Sequence, residues 1–433
     1  RSNGGLNMAS ATITGGKSVS LSLSGNEAVI AKNALANLSS QYSSSTVMKS
    51  PLTPPSSSPT SLDAYQINSA QYGSITAAPG AEAIVVTGGN GVNIQGNAGV
   101  RFIAGGTGND TINAGGGNAT IVGGGGTDII QLANTGQAGG TAYISLASGN
   151  DTVRLWGGNA AIVDAKLNDK VEIYSGNNTV AMEGAANFDI GGGTNTIAAN
   201  GGNFTVGGGN STITVDGASA NITRTGGTLD VTLGNTPATT SGAVARGSYG
   251  LTGDMTVHQT KAGNYTLTMN GNDTVYLGAG NDTINQLGAS TLYGGSGKLN
   301  YTGGLGADSI MAGSGAATIL GGGGFDTIIG GSNLMKADGG DGNDLLVGGS
   351  FKDTLTGGTG GDLFRFAATA HGGQHVITDF IDGSDKIDLT GGGYTLADIS
   401  QTSIKAGSTI IKLSDGTQIT LKNFKSLDSS DFI

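Results

Sequence analysis

The chain has 433 residues, 82 of them glycine, with 31 acidic against 20 basic side chains for a formal net charge of −11, and no cysteine. That composition excludes disulfide staples and thiolate metal sites, and with no basic stripe interleaved with aromatics it argues against nucleic acid as a partner. No run of eighteen apolar residues is present to span a bilayer, and no signal peptide is visible, although Arg1 in place of Met suggests a missing leading segment. Each glycine loses much backbone freedom on folding, so a chain this rich in it needs an added stabilising term.

Residues 1–62 read as a poorly structured N-terminal arm. ATITGGKSVSLSLSG alternates as one or two strands do, and Val29, Ile30, Ala34, Leu35 and Leu38 follow near-helical spacing behind an Asn26 cap. The Ser/Pro stretch after them cannot form a core. This arm is either a flexible leader or a segment that docks on another subunit.

Residues 63–233 read as a first solenoid. Val85, Ile94, Ile103, Ile112, Ile121 and Ile130 recur every nine residues, and a period this short marks a coil of short strands joined by glycine turns. Asp110 and Asp128 lie eighteen apart around Ala119; after a phase break at 132–140, Asp151 and Asp169 do the same around Ala160, with Ser148 and Lys166 intruding on their turns. From 186 to 233, Asn and Thr replace Asp, and neutral amides can stack in a hydrogen-bonded ladder without a cation. A flat Thr/Asn face that binds ice or a glycan is the alternative there.

Residues 234–269 read as a loop followed by a hairpin around Lys261–Asn264, capping the first solenoid. Residues 270–365 restart the motif with Asp273 and Asp282, nine apart and therefore on opposite sides, each without a clear partner eighteen residues on. From Gly294 to Arg365 eight nine-residue blocks follow without a slip, each a glycine turn and a short strand with one inward residue at position eight: Tyr301, Ile310, Ile319, Ile328, Ala337, Leu346, Leu355 and Phe364. Position six is Asp308, Asp326, Asp344, Asp353 and Asp362 in five blocks and Leu299, Ala317 and Met335 in three. Carboxylates stacked about 4.8 Å apart repel unless a cation lies between them, and oxygen-only ligands favour calcium.

These blocks resemble the GGxGxDxUx nonapeptides of the repeats-in-toxin (RTX) family, whose β-roll binds calcium between turns stacked eighteen residues apart. The resemblance implies one calcium between Asp308 and Asp326 with carbonyls of Gly304, Gly306, Gly321 and Gly323. A second would join Asp326 to Asp344 with Gly322, Gly324, Gly339 and Asp341, and a third Asp344 to Asp362 with Gly340, Gly342, Gly357 and Thr359. It also implies one between Asp110 and Asp128 with Gly106, Gly108, Gly123 and Gly125, and one between Asp151 and Asp169. On the opposite side Asp353 stands alone over Met335, so little or no metal is expected there; Asp273 and Asp282 complete the candidate ligands.

Residues 366–433 read as a small C-terminal β cap, with two short strands around Asp415-Gly416. Phe364, Phe366, Ile377, Phe380, Ile387 and Leu389 resemble the residues that close the coil in serralysin-like and other RTX proteins, and the ending Asp431, Phe432, Ile433 resembles an uncleaved type I secretion signal. No catalytic set is legible: His371 and His375 are separated by Gly-Gly-Gln without the glutamate of HExxH, His258 reads as a lone surface residue, and GxSxG is absent. The expected fold is all-β, a parallel β-solenoid or β-roll of nine-residue repeats. The expected function is that of a secreted, calcium-binding structural protein at or outside a Gram-negative cell surface, a homo-polymer forming a filament, S-layer or biofilm matrix. It would be exported by type I machinery and could contact cell-surface polysaccharide. Docking surfaces are expected at the Val85 end and along Leu299, Ala317 and Met335. The alternative is the export module of a secreted hydrolase or epimerase.

Overall fold

The structure is a computed structural model describing residues 9–12, 18–21, 25–40, 47–49, 63–132, 140–146, 149–165, 168–182, 184–216, 219–234, 246–260, 262–366 and 373–433. The Ser/Pro stretch at 50–62, most of the 234–245 loop, Ser148, Lys166 and His371 lie outside the described residues. The chain forms two compact units, Arg1–Thr214 with Thr225–Leu229, and Val215–Arg224 with Asp230–Ile433. Both are all-β parallel solenoids.

In the first unit consecutive strands alternate between two parallel sheets. Asp63–Asn68, Ala83–Thr87, Phe102–Ala104, Ala119–Val122, Thr141–Ser145 and Asn159–Ala165 pair in succession on one. Ser74–Thr76, Asn93–Gln95, Thr111–Asn113, Ile129–Leu132, Thr152–Leu155 and Lys170–Ile173 pair on the other. The reason is the pattern itself: a nine-residue half-turn buries every second strand residue, and no single strand can bury its apolar face except against the next coil.

Three expectations need correction here. The coil does not begin at Val85, because Asp63–Asn68 already pairs with Ala83–Thr87, and Val47–Lys49 pairs with Asp63–Asn68. The inward residue of Ala83–Thr87 is Ile84, which faces Ile103, while Val85 faces Ala104. The helix spans Gly25–Ser40, so Asn26 lies inside it, and its buried stripe is Ala31 and Leu35 while Val29 is exposed. It packs against the strands Phe102–Ala104 and Ala119–Val122, which explains why successive residues of Phe102–Ala104 are all buried.

Further along the same unit an amide ladder forms, and it starts at Asn178, ahead of the 186–233 stretch where it was expected. Asn178 Oδ1 accepts the Ala160 N–H at 3.1 Å, Asn178 Nδ2 donates to Asn195 Oδ1 at 2.9 Å, and Asn195 Nδ2 donates to the Gly192 carbonyl at 3.0 Å. An amide both donates and accepts, so these turns bring no buried anionic oxygen that a cation would have to neutralise.

In the second unit Ser219–Arg224, Arg246–Thr252, Asn264–Asn270, Asp282–Gln286, Leu299–Thr302, Ala317–Gly323, Met335–Asp341, Lys352–Thr359 and Gln374–Ile377 form one parallel sheet. Thr256–Gln259, Asp273–Tyr276, Ser290–Tyr293, Ser309–Met311, Thr327–Ile329, Leu345–Gly348, Leu363–Phe366 and Lys386–Asp388 form the other. The expected hairpin is therefore absent: Thr256–Gln259 and Asn264–Asn270 lie in different sheets as one more turn of coil. Period-two alternation fits any half-buried strand and does not say which strand pairs with it. Leu299, Ala317 and Met335 are 2, 3 and 1% exposed, so they fill the core and cannot form a docking surface.

At the C-terminus Ile399–Lys405, Ser408–Leu413 and Gln418–Leu421 form an antiparallel sheet whose last strand pairs with Gln374–Ile377. Two of these flank Asp415-Gly416 as expected, and Ile399–Lys405 is an addition. Phe380 packs between Phe364 and Phe424 and closes the coil. Phe432 bridges to Ile387, so the final residues are part of the fold. No helix among the described residues is long and apolar enough to cross a membrane.

Candidate metal centre

Asp308, Asp326, Asp344 and Asp362 each stand just before a strand of one sheet and are 1–2% exposed. They form a ladder in which each carboxylate takes the backbone N–H of the turn before: Ser290 to Asp308 at 2.6 Å, Asp308 to Asp326 at 2.7 Å, Asp326 to Asp344 at 2.8 Å and Asp344 to Asp362 at 2.9 Å. The second oxygens of Asp326, Asp344 and Asp362 are buried and receive no hydrogen bond. A buried anionic oxygen without a donor is costly, and burial pushes the Asp326 carboxyl up to about 7 and that of Asp362 up to about 6, with Asp308 and Asp344 also raised.

The glycines shape the space around those oxygens. A Cβ on Gly321 would fall 2.3 Å from Asp326 Oδ2 and 2.5 Å from the Gly339 carbonyl oxygen. One on Gly339 would fall 2.2 Å from Asp344 Oδ2 and 2.7 Å from the Gly357 oxygen, and one on Gly357 would fall 2.2 Å from Asp362 Oδ2. Gly322 and Gly340, at φ 108° and 107°, turn the chain in the left-handed region so that carbonyls and carboxylate face one another. Carboxylate plus carbonyl oxygens, with no nitrogen or sulfur, is the donor set of a hard divalent cation, and these residues fit calcium. Among the described residues no three His, Cys, Asp or Glu side chains converge, so an ion here would have to draw most of its donors from main-chain carbonyls.

The remaining candidates fall as follows. The carbonyls of Gly304, Asp341 and Thr359 already accept N–H groups of Gly323, Gly324 and Gly342, leaving one lone pair each. The Thr359 hydroxyl donates to Asp341 at 2.9 Å. Gly306 lies under Gly324, whose Cβ would meet Gly306 at 2.8 Å.

In the first unit Asp110, Asp128, Asp151 and Asp169 form one continuous ladder with 2.8 Å steps, rather than two separate pairs. Gly123 faces the Asp128 carboxylate, and Gly125 donates to the Gly106 oxygen. Gly108 packs under Gly126. Both Asp110 oxygens take backbone N–H groups, from Val92 and Gly106.

Asp353 is engaged otherwise: its Oδ2 accepts the Gly349 N–H at 2.8 Å and lies 2.9 Å from His375 Nδ1, both side chains fully buried. His258, read as solitary, stacks on Tyr276 at 4.8 Å, which stacks on Tyr293. Asp273 shares the column of Asp308 through Ser290, and Asp282 stacks on Leu299.

Sequence reasoning missed Asp385, which accepts the Asp362 N–H at 2.9 Å and extends the ladder across a 23-residue step. Its signal was present as Gly383-x-Asp385-x-Ile387, displaced by an insertion. Gly303, whose Cβ would fall 2.5 Å from Asp308 Oδ2, and Gly105, at 2.7 Å from Asp110 Oδ2, were missed because the residues eighteen before those aspartates are Ser290 and Val92, so no carboxylate pair marks the step.

Glycine turns that stack buried aspartates along a parallel two-sheet coil define a β-roll built to hold cations. The family described as RTX calcium-binding nonapeptide repeat (4 copies) matches residues 95–130, 268–285, 302–333 and 338–368, so the chain carries RTX calcium-binding repeats. Among solved structures, the solution structure of the AlgE6R3 subunit of the Azotobacter vinelandii mannuronan C5-epimerase is similar, at 24% identity over 32% of this chain and 78% of that one, with a TM-score of 0.22. No curated protein matches the chain.

Proposed function

We propose that this chain is a secreted calcium-binding structural protein that self-associates at or outside the bacterial cell surface. The observation that carries the calcium reading is the column of buried, donor-free Oδ2 atoms on Asp326, Asp344 and Asp362. One ion would lie between Asp308 and Asp326, one between Asp326 and Asp344 and one between Asp344 and Asp362, with carbonyls of the intervening glycine turns. In the first unit the Asp110–Asp128 and Asp151–Asp169 steps are the corresponding positions by spacing, but both Asp110 oxygens already take backbone N–H groups, so the first of them offers a poorer donor set. The ion would supply positive charge between stacked carboxylates and accept carbonyl lone pairs, so binding free energy becomes folding free energy.

Export is supported by the RTX repeats, since extracellular calcium modules work at about 10⁻⁴–10⁻³ M, where folding waits until the chain is outside. Self-association is supported by large apolar side chains standing in water on the second unit: Leu305 is 89% exposed, Phe325 68% and Phe351 50%. Sedimentation velocity of the full chain, with and without millimolar calcium, tests the reading. Assembly only with calcium is expected, and a monomer at every concentration would overturn the self-association half.

A further inference from the structure

Two buried glutamines stand where the rest of the second unit leaves room for a cation. Gln286 is 1% exposed and ends the strand Asp282–Gln286 pointing inward. It follows Asn285, whose register partners Thr302, Leu320 and Asp338 precede Gly303, Gly321 and Gly339. It therefore occupies the column of glycines whose missing Cβ leaves the space beside each aspartate open. Ser290, in place of an aspartate, gives its side chain room to reach back one turn.

The contacts of its amide are those a cation would make. Gln286 Nε2 donates to the Gly271 carbonyl at 2.6 Å, to the Ala289 carbonyl at 3.1 Å and to Asp273 Oδ2 at 3.2 Å: two turn carbonyls and a carboxylate. Three oxygens around Nε2 share its two hydrogens and fix the NH₂ end there, while Oε1 is buried without a donor. Gln259 repeats the device on the other sheet. Its Nε2 donates to the Gly263 carbonyl at 3.2 Å and the Ala279 carbonyl at 3.5 Å, its Oε1 accepts the Gly278 N–H at 3.0 Å, and the amide also bonds the Asp282 carboxylate. At Asp326, Asp344 and Asp362 no side chain does this, and the oxygens stay without a donor.

We infer that Gln286 and Gln259 replace the metal at Asp273 and Asp282, so these two turns do not bind calcium and close without it. The residues there do not fit an ion, because a neutral amide already donates into the oxygen cluster. The consequence reaches the array: Leu299–Thr302 pairs onto Asp282–Gln286 and Ser309–Met311 onto Ser290–Tyr293. A metal-independent turn thus presents a formed sheet edge on which the calcium-dependent turns add in order, as expected for a solenoid that propagates from a nucleus. This inference rests on the calcium reading of the array, and its test separates the two.

Hydrogen exchange of the full chain in chelator should show Asp273–Tyr276 and Asp282–Gln286 protected while Thr327–Ile329 and Leu345–Gly348 exchange freely. Protection of all four would sink the calcium reading; free exchange of all four would sink the glutamine inference. Gln286→Leu should lower protection of Asp273–Tyr276 in chelator by roughly 5- to 100-fold, the loss of a buried donor. Gln286→Glu completes an oxygen-only site, so native mass spectrometry should find one more bound calcium than in the unchanged chain, with protection restored only when calcium is present. An unchanged ion count in Gln286→Glu, or no loss of protection in Gln286→Leu, overturns the assignment.

Discussion

At Asp326 the two carboxylate oxygens differ: Oδ1 takes the Asp308 N–H from the neighbouring turn, and Oδ2 is buried without a donor. Gly321→Ala puts a methyl group 2.3 Å from that oxygen, with main chain behind it, so calorimetric titration should show weaker calcium binding and thermal unfolding a loss of about 1–3 kcal/mol. The same carboxylates set the pH response. Burial raises Asp326 to about 7 and Asp362 to about 6 in the metal-free fold, above their ordinary value of 3.8. Protonation of these groups thus favours the metal-free fold: their contribution is full below about pH 4 and is lost as pH rises through about 6 to 7. Circular dichroism in chelator should show more structure at pH 4.5 than at pH 8, and apparent calcium affinity should fall over the same descent because protons and calcium compete.

Between turns, what distinguishes one column from another is what lies across from the aspartate. Asp326 shares its ladder with Asp308 and Asp344, whereas Asp353 faces His375 across a buried 2.9 Å contact. Asp326→Ala should remove or weaken two ions by titration. Asp353→Ala should leave the ion count unchanged and instead cost about 1–3 kcal/mol, since His375 Nδ1 and the Gly349 N–H lose their acceptor inside the core. Equal loss of calcium from both variants would refute the distinction. His375 escaped sequence reasoning as a structural partner because it lies 22 residues from Asp353, off the eighteen-residue period, across a step that only the folded coil reveals.

For the whole molecule, the proposed calcium sites would couple chemistry to folding. Saturation at about a hundred times the dissociation constant adds roughly 2.7 kcal/mol per site, enough for several sites to decide whether a glycine-rich chain folds. The β signal in circular dichroism should therefore rise with calcium and fall on chelation, but not to zero, because the Asn178–Asn195 ladder and the Gln286 turn need no ion. Complete loss of β signal in chelator would show that amides cannot substitute for the metal.

The sequence by itself determined the repeat, the all-β parallel coil and the aspartates at eighteen-residue spacing, because period nine leaves one inward residue per half-turn and only stacking can bury it. It also carried the amide ladder, since Asn in place of Asp names its own partner one turn away. Only the tertiary structure decided which strands pair where the period slips. It made Thr256–Gln259 and Asn264–Asn270 a turn of coil, and it joined Asp128 to Asp151 and Asp362 to Asp385 over 23-residue steps. It also decided which carboxylates are spoken for, because Gln286 and Asp273 or His375 and Asp353 meet only when successive coils stack. Local periodicity records what each coil repeats, and a contact between residues that lie off that period leaves no trace in it.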